Sequence, residues 1–368
     1  MDALETIATT SRRATTVAAC TGDGAVRIEV RPRPNPKPGE MVLRLRVAGL
    51  CGTDLFKLRH ATVPAGTVLG HEVVGSVAAL GEGVAGFAHG DRVAVPHHVA
   101  CGECDFCRRG SEPSCPAFRE NLLVPGGFSE WVLVRERAVR QAAFGLPPSL
   151  RDESAVFLEP AACVLRGIRH ARLPETALTG PSPGCVAILG GGSMGLLHLL
   201  VLKAVHPGLR ALLSDPLEER RELARRLGAD AAVTPDAASG EVEALSSGRG
   251  ADAVFDTVGG AGLLETALGL SRPGGAVVLF AHADGGRDRA TFDLNLNAFF
   301  KSERRLIATY SSALAEQREV YRLLASGRLD PSPLVTHRLP LSRFAAAVEL
   351  ARERQAVKVL LVPDEELP

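Results

Sequence analysis

The spacing of apolar positions changes twice along this chain. From Val17 to about Arg140 they come in short, valine-rich runs broken by glycine and proline. Residues 42–47 (VLRLRV) alternate apolar and basic, and residues 92–96 (RVAVP) form a brief apolar run. A period of two turns one face inward, so both read as strands of a β-rich lobe. Residues 31–39 (RPRPNPKPG) have proline at every second position, which removes amide donors and forces an extended connector. From about Glu159 to Ala298 short buried runs, 186–189 (VAIL), 211–214 (ALLS), 253–255 (AVF) and 276–280 (AVVLF), alternate with helical segments. That alternation predicts a doubly wound parallel α/β sheet. From about Ser302 a helical stretch at 315–325 leads to a terminal strand at 357–362 (VKVLLV), placed to return to the first lobe. The expected organisation is an N-terminal extension over 1–16, a β-rich lobe over 17–160, an α/β lobe over 161–300, and a return over 301–368.

Bulk properties narrow the function classes. At 368 residues the chain is long enough for two domains. Its 42 basic residues balance 42 acidic ones, so no net field draws it to nucleic acid or a membrane surface. The first sixteen residues carry no apolar stretch of the signal-peptide kind, and no apolar run is long enough to span a bilayer. A cytoplasmic location is expected. There is no internal repeat.

Strand 186–189 runs into Gly190-Gly191-Gly192-Ser193-Met194-Gly195, and a helical pattern continues from Leu196. In such a GxGxxG turn Gly190 makes the tight bend, Gly192 lets backbone approach a pyrophosphate, and Gly195 lets helix and strand pack closely. The helix start then presents free N–H groups to the phosphates. The motif alone is weak, but Asp215 closes the next strand at the spacing of an acid that binds the adenosine ribose hydroxyls. An acid there repels a 2′-phosphate, so the expected cofactor is NAD rather than NADP, with Arg220 and Arg221 close behind as the opposing signal. Asp215 also fits a simpler role as cap of a helix beginning at Pro216.

Cys101, Cys104, Cys107 and Cys115 place half of the eight cysteines within fifteen residues. Four thiolates at about 2.3 Å close a tetrahedral zinc site with no open position, which holds a loop and does no chemistry. Two disulfides would use the same residues, but a chain of this length with no secretory segment has little need of them. A structural zinc in a loop over 97–118 is expected. A second candidate set is spread out: Cys51 after a strand, His71 with Glu72, and Glu159 before Pro160. One thiolate, one imidazole and one or two carboxylates suit a Zn²⁺ with a position left for substrate. Taken singly each has a plainer reading: a buried small hydrophobe, a surface pair, a turn residue.

Taken in order, Gly-Leu-Cys51-Gly-Thr53-Asp54, Gly-His71-Glu72, the four-cysteine run, Gly126-Gly-Phe-Ser-Glu130, Leu-Glu159-Pro, the GGGSMG turn and the closing Val357-Lys-Val resemble the zinc-dependent medium-chain dehydrogenases. The likeness is strongest to the sorbitol and threonine dehydrogenase branch, and it covers residues from about 17 to 362. It implies a GroES-like catalytic domain built from both ends of the chain, an inserted Rossmann domain that binds the dinucleotide through Gly190, Gly192, Ser193, Met194, Gly195, Asp215 and Arg220, and an active site in the cleft. It also implies two Zn²⁺ per chain. Cys51 and His71 match the catalytic ligands, Glu72 a carboxylate that binds the metal or sits behind it, and Glu159 an exchangeable fourth position. Thr53 matches the hydroxyl that touches the reacting alcohol, Cys163 the nicotinamide pocket, and Asp54 a residue that orients the metal-bound imidazole. The implied reaction interconverts a secondary alcohol (polyol, sugar, cyclitol or amino alcohol) and its ketone by hydride transfer, with a homodimer or homotetramer as the assembly.

The chain departs from the pattern at Phe56, where relatives commonly carry a histidine that passes the proton outward. That points to slow oxidation near neutral pH, or to reduction as the working direction, with His60 or a water chain as substitute relay. Simple short-chain alcohols are the alternative substrates. A catalytically silent NAD-binding relative is a further alternative, but it would be expected to have lost Cys51, Thr53 or His71. A zinc-ribbon nucleic-acid module fits the cysteines but not the charge.

Overall fold

A computed structural model describes residues 14–179, 183–282 and 291–366. The described residues form two compact units: one from the chain up to Glu159, Ala313–Gly327 and Pro331 onward, the other from Pro160–Ser312 and Arg328–Asp330.

The strands in chain order are β1 (Ala14–Cys20), β2 (Val26–Pro32), β3 (Met41–Gly49), β4 (Glu72–Leu80), β5 (Arg92–Pro96), β6 (Leu123–Val124), β7 (Trp131–Val134), β8 (Phe144–Gly145), β9 (Cys185–Leu189), β10 (Arg210–Ser214), β11 (Ala231–Val233), β12 (Ala251–Asp256), β13 (Ser271–Leu279), β14 (Arg305–Ala308), β15 (Val335–Pro340) and β16 (Lys358–Val362). Of the N-terminal extension read at 1–16, residues 1–13 lie outside the described residues. Ala14, Thr15 and Thr16 open β1, where they pair with Pro32, Arg31 and Val30 of β2.

The first unit is β-rich. Its main sheet runs β15-β16-β3-β4-β5-β8, with β7 joining β3 and β6 joining β7. The apolar positions of β3 and the first part of β4 are buried, as are Phe118, Phe128 and Phe344, the last two packed ring to ring. The terminal strand β16 pairs antiparallel with β3, Leu360 opposite Gly49, which ties the end of the chain to the strand that leads into Cys51.

The second unit is a doubly wound sheet of order β11-β10-β9-β12-β13-β14, parallel throughout. β9 is buried along its whole length, as a strand covered on both faces must be. The order reverses between β10 and β12, on either side of β9, and such a switch point opens a crevice beyond the carboxyl ends of the strands. β14 lies past residue 300, where the sequence places the end of this lobe, and pairs with β13 as the sixth strand. No helix among the described residues is long and apolar enough to cross a membrane.

Candidate active site and metal centres

Cys51 ends the connection from β3 as the N-cap of helix Gly52–Arg59, in extended conformation. Asp54, in the first turn, reaches back: its Oδ2 accepts a hydrogen bond from the Cys51 amide at 3.1 Å, satisfying a donor that the helix start would leave orphaned. Its Oδ1 lies 3.4 Å from His71 Nδ1. Asp54, His71 and Glu72 are all buried. Thr53 sits in the first turn of the same helix. Ligand atoms of Cys51, His71 and Glu72 lie within 4.8 Å of one another.

The electrostatics of this group favour a cation. Burial opposes charge on His71, but Asp54 and Cys51 outweigh it and hold the imidazole well above its ordinary pKa. Burial opposes the Asp54 carboxylate too, yet His71 and the Cys51 amide hold it below its usual range. A metal taking His71 must displace that proton, so loading releases a proton and weakens as pH falls. Glu72 Oε1 is buried with no hydrogen-bond partner, a cost that a bound cation would remove. The donor set, one sulfur, one nitrogen and one carboxylate, suits zinc. Because Asp54 fixes the His71 ring, Asp54→Asn is expected to lower metal affinity or turnover by about 10- to 100-fold while the fold persists. Zinc titration of the metal-free protein against a chromophoric chelator checks this.

The second cluster holds the four cysteines of the loop. Cys101, Cys104, Cys107 and Cys115 offer sulfurs within 4.8 Å of one another and all are free thiols. Neighbouring sulfurs are 3.5 to 3.8 Å apart, far beyond a disulfide bond. Backbone amides of Glu103 and Cys104 donate to Cys101 and pull its thiol down to about 6. Burial pushes Cys107 up to about 12, with its thiol neighbours adding to the rise. Four thiols this close cannot all ionise alone, and a divalent ion resolves the conflict.

In the second unit, helix Ser193–Val205 begins inside the GGGSMG motif with Gly192 as its N-cap, three residues earlier than the apolar pattern indicates. Gly190 has φ +100°, and a Cβ at Gly195 would come within 1.8 Å of the Gly190 carbonyl. Gly192 has open space around it, and the Ser193 Oγ is buried without a partner at the helix start. These features fit a pyrophosphate. Asp215 accepts from the Gly191 amide at 2.6 Å and from the Leu217 amide at 2.8 Å. The helix it was expected to cap starts at Glu218 with Leu217 as N-cap, not at Pro216, because Asp215 instead folds the intervening turn. Arg220 is buried with its Cβ beside Gly191, whereas Arg221 binds the carbonyls of Asp215 and Pro216.

Not every candidate joins these groups. Glu159 is buried in the first turn of helix Leu158–Ala171 and is not among the three residues, Cys51, His71 and Glu72, that converge. Cys163, one turn further along that helix, belongs to the second unit. Phe56 packs against His60 with the rings tilted, centroids 4.5 Å apart. Three residues beside the Cys51 group escape sequence reasoning. His97 lies 4.8 Å from the His71 ring and 3.6 Å from His98. Burial, then the charge of His71, keep His97 well below its ordinary pKa and His98 at about 4, so both are neutral. The third, Lys358, is buried and paired with Glu72. The doublet His97-His98 just before Cys101 was a visible signal; Lys358, in an apolar strand, was not.

Comparison with known proteins agrees with this architecture. Residues 37–143 match the family model described as alcohol dehydrogenase GroES-like domain, and residues 194–326 match the one described as zinc-binding dehydrogenase. The L-threonine 3-dehydrogenase of Pyrococcus horikoshii is 31% identical over 93% of this chain and 96% of its own length. The sorbitol dehydrogenase of Bacillus subtilis is 28% identical over 92% and 95%. Among solved structures, the alcohol dehydrogenase TADH from Thermus sp. ATN1 superposes with TM-score 0.81 at 31% identity, covering 95% of this chain and 99% of that one.

Proposed function

This chain belongs to the zinc-dependent medium-chain dehydrogenases, with a GroES-like domain and a Rossmann domain, and from that premise we propose that it interconverts a secondary alcohol and its ketone with NAD(H), using one catalytic and one structural zinc. The observation that carries the reading is the convergence of Cys51, His71 and Glu72, with the Glu72 oxygen left unsatisfied. Cys51, His71 and Glu72 would hold the catalytic ion, with Glu159 as an exchangeable neighbour, and Cys101, Cys104, Cys107 and Cys115 would hold the structural one. When bound, the catalytic ion supplies a Lewis acid for the substrate oxygen, and the nicotinamide supplies the hydride acceptor.

The chain's own groups do the rest. Thr53 would accept a hydrogen bond from the alcohol hydroxyl and relay its proton, giving up its own hydroxyl proton to solvent as it takes the substrate's. Asp54 keeps the His71 ring in one orientation and its Nδ1 occupied. The neutral His97 and His98 pack beside His71 without adding charge. Gly192 and Ser193 take the pyrophosphate, and Asp215 selects a ribose hydroxyl over a 2′-phosphate, with Arg220 packed behind the turn. Cys163 would line the nicotinamide end of the bound cofactor.

The relatives' names support the substrate class: threonine and sorbitol carry hydroxyls on secondary carbons. The reading is tested by oxidation of polyols, cyclitols, amino alcohols and short primary alcohols with NAD⁺ and with NADP⁺. Turnover of a secondary alcohol with NAD⁺ preferred is expected. Turnover of primary alcohols alone, or NADP⁺ preferred, overturns the substrate or cofactor assignment respectively.

A further inference from the structure

Lys358 and Glu72 form an ion pair shut away from solvent: they are 2% and 0% exposed. The lysine comes from β16 and the glutamate from β4, on either side of β3, and they meet above Gly49. A Cβ at Gly49 would stand 1.9 Å from Glu72 Oε2 and 2.9 Å from Lys358 Cε, so the glycine is what leaves room for the pair. The ammonium also lies 5.4 Å from the centre of the Phe157 ring. Burying two charges costs several kcal/mol per ion, and a well-packed apolar pair would serve packing as well or better. Stability alone therefore gives no reason for a lysine here. What distinguishes the pair is its neighbour: Lys358 contacts Oε2 of Glu72, Oε1 has no hydrogen-bond partner, and a carboxylate oxygen of Glu72 lies within 4.8 Å of ligand atoms of Cys51 and His71.

We propose that Lys358 is a positioning residue for the metal centre, tying up one oxygen of Glu72 and part of its charge so that a bound cation meets a single, weakened carboxylate oxygen. This rests on the reading of Cys51, His71 and Glu72 as a metal site. Its consequence is a metal held less tightly, and left more electron-poor, than the three side chains would otherwise make it.

Metal-free protein titrated with Zn²⁺ against a chromophoric chelator, and with Co²⁺ by visible absorption taken as a difference from Cys51→Ser, tests this. Freeing the second oxygen and the full charge of Glu72 for the ion predicts that K358M binds Zn²⁺ about tenfold or more tightly. The cobalt absorption should also change in intensity as the second Glu72 oxygen becomes available. K358R should restore both values. In an E72Q background the same K358M exchange should change affinity by less than about twofold, because the effect runs through the carboxylate. An unchanged affinity and spectrum in K358M, or an equal shift with and without the Glu72 carboxylate, overturns the proposal. If K358M does not fold, K358Q, which keeps a donor to the carboxylate, is read against the same outcomes. A cobalt spectrum that is the same with and without Cys51, leaving no difference signal, overturns the metal site itself. A site abolished by Cys51→Ser but indifferent to Lys358 overturns only the positioning role.

Discussion

Cys51→Ser is expected to yield a folded protein that has lost one zinc and at least about a thousandfold in turnover, since a Lewis acid contributes several kcal/mol and each ~1.4 kcal/mol is tenfold. The fold should survive because serine is itself a favoured helix N-cap and can take the place of the Cys51 side chain in its capping box with Asp54. The bond that organises the turn runs from the Cys51 amide to Asp54, and serine keeps it. What serine removes is the thiolate beside His71. Metal analysis, a thermal melt and the NAD⁺-coupled rate check the three parts together. A Cys51→Ser protein with unchanged zinc and unchanged rate contradicts the assignment.

Cys115→Ser should act on stability instead. Cys115 is buried, its sulfur accepts from the Cys101 amide at 3.4 Å and lies 3.5 Å from the Cys101 sulfur. Three residues on, Phe118 is 1% exposed and packs against His98, centroids 5.1 Å apart. The cysteine loop is thus joined to the histidines beside His71, and its order is expected to depend on a metal held by the four cysteines. With three thiolates left, metal affinity and loop order fall together. A loss of a few kcal/mol lowers the melting temperature by about 10 °C, and aggregation follows where buried surface such as Phe118 opens. Solubility, zinc content and melting temperature report it. A soluble, fully active Cys115→Ser protein with its metal in place contradicts a structural role.

The strands and the glycine turn were legible because their signals are local. Alternation in β3, full burial in β9 and the glycine spacing after it depend on neighbours a few residues away. The first half of β13, Ser271–Arg272–Pro273–Gly274–Gly275, reads as a turn, yet it joins the sheet beside a register shift in β12. β14 is four residues long and half-buried at the sheet edge, too weak a pattern to stand out. The helix after the glycine turn starts at Ser193 rather than Leu196. Gly195 is a poor helix former by about 1 kcal/mol, but close packing on Gly190 requires it. At the site, the cysteines and the His71-Glu72 doublet announced themselves by residue type. Lys358 did not, because a lysine within a valine and leucine strand reads as a solvated position. Its partner Glu72 is brought to it only by the pairing of β16 and β4 with β3.

The most direct test of the central claim is an anomalous difference map at the zinc absorption edge from crystals of the purified protein. Two peaks per chain are expected, one among Cys101, Cys104, Cys107 and Cys115, the other contacting Cys51, His71 and Glu72. A single peak in the cysteine loop, with none beside Cys51, contradicts the catalytic metal centre.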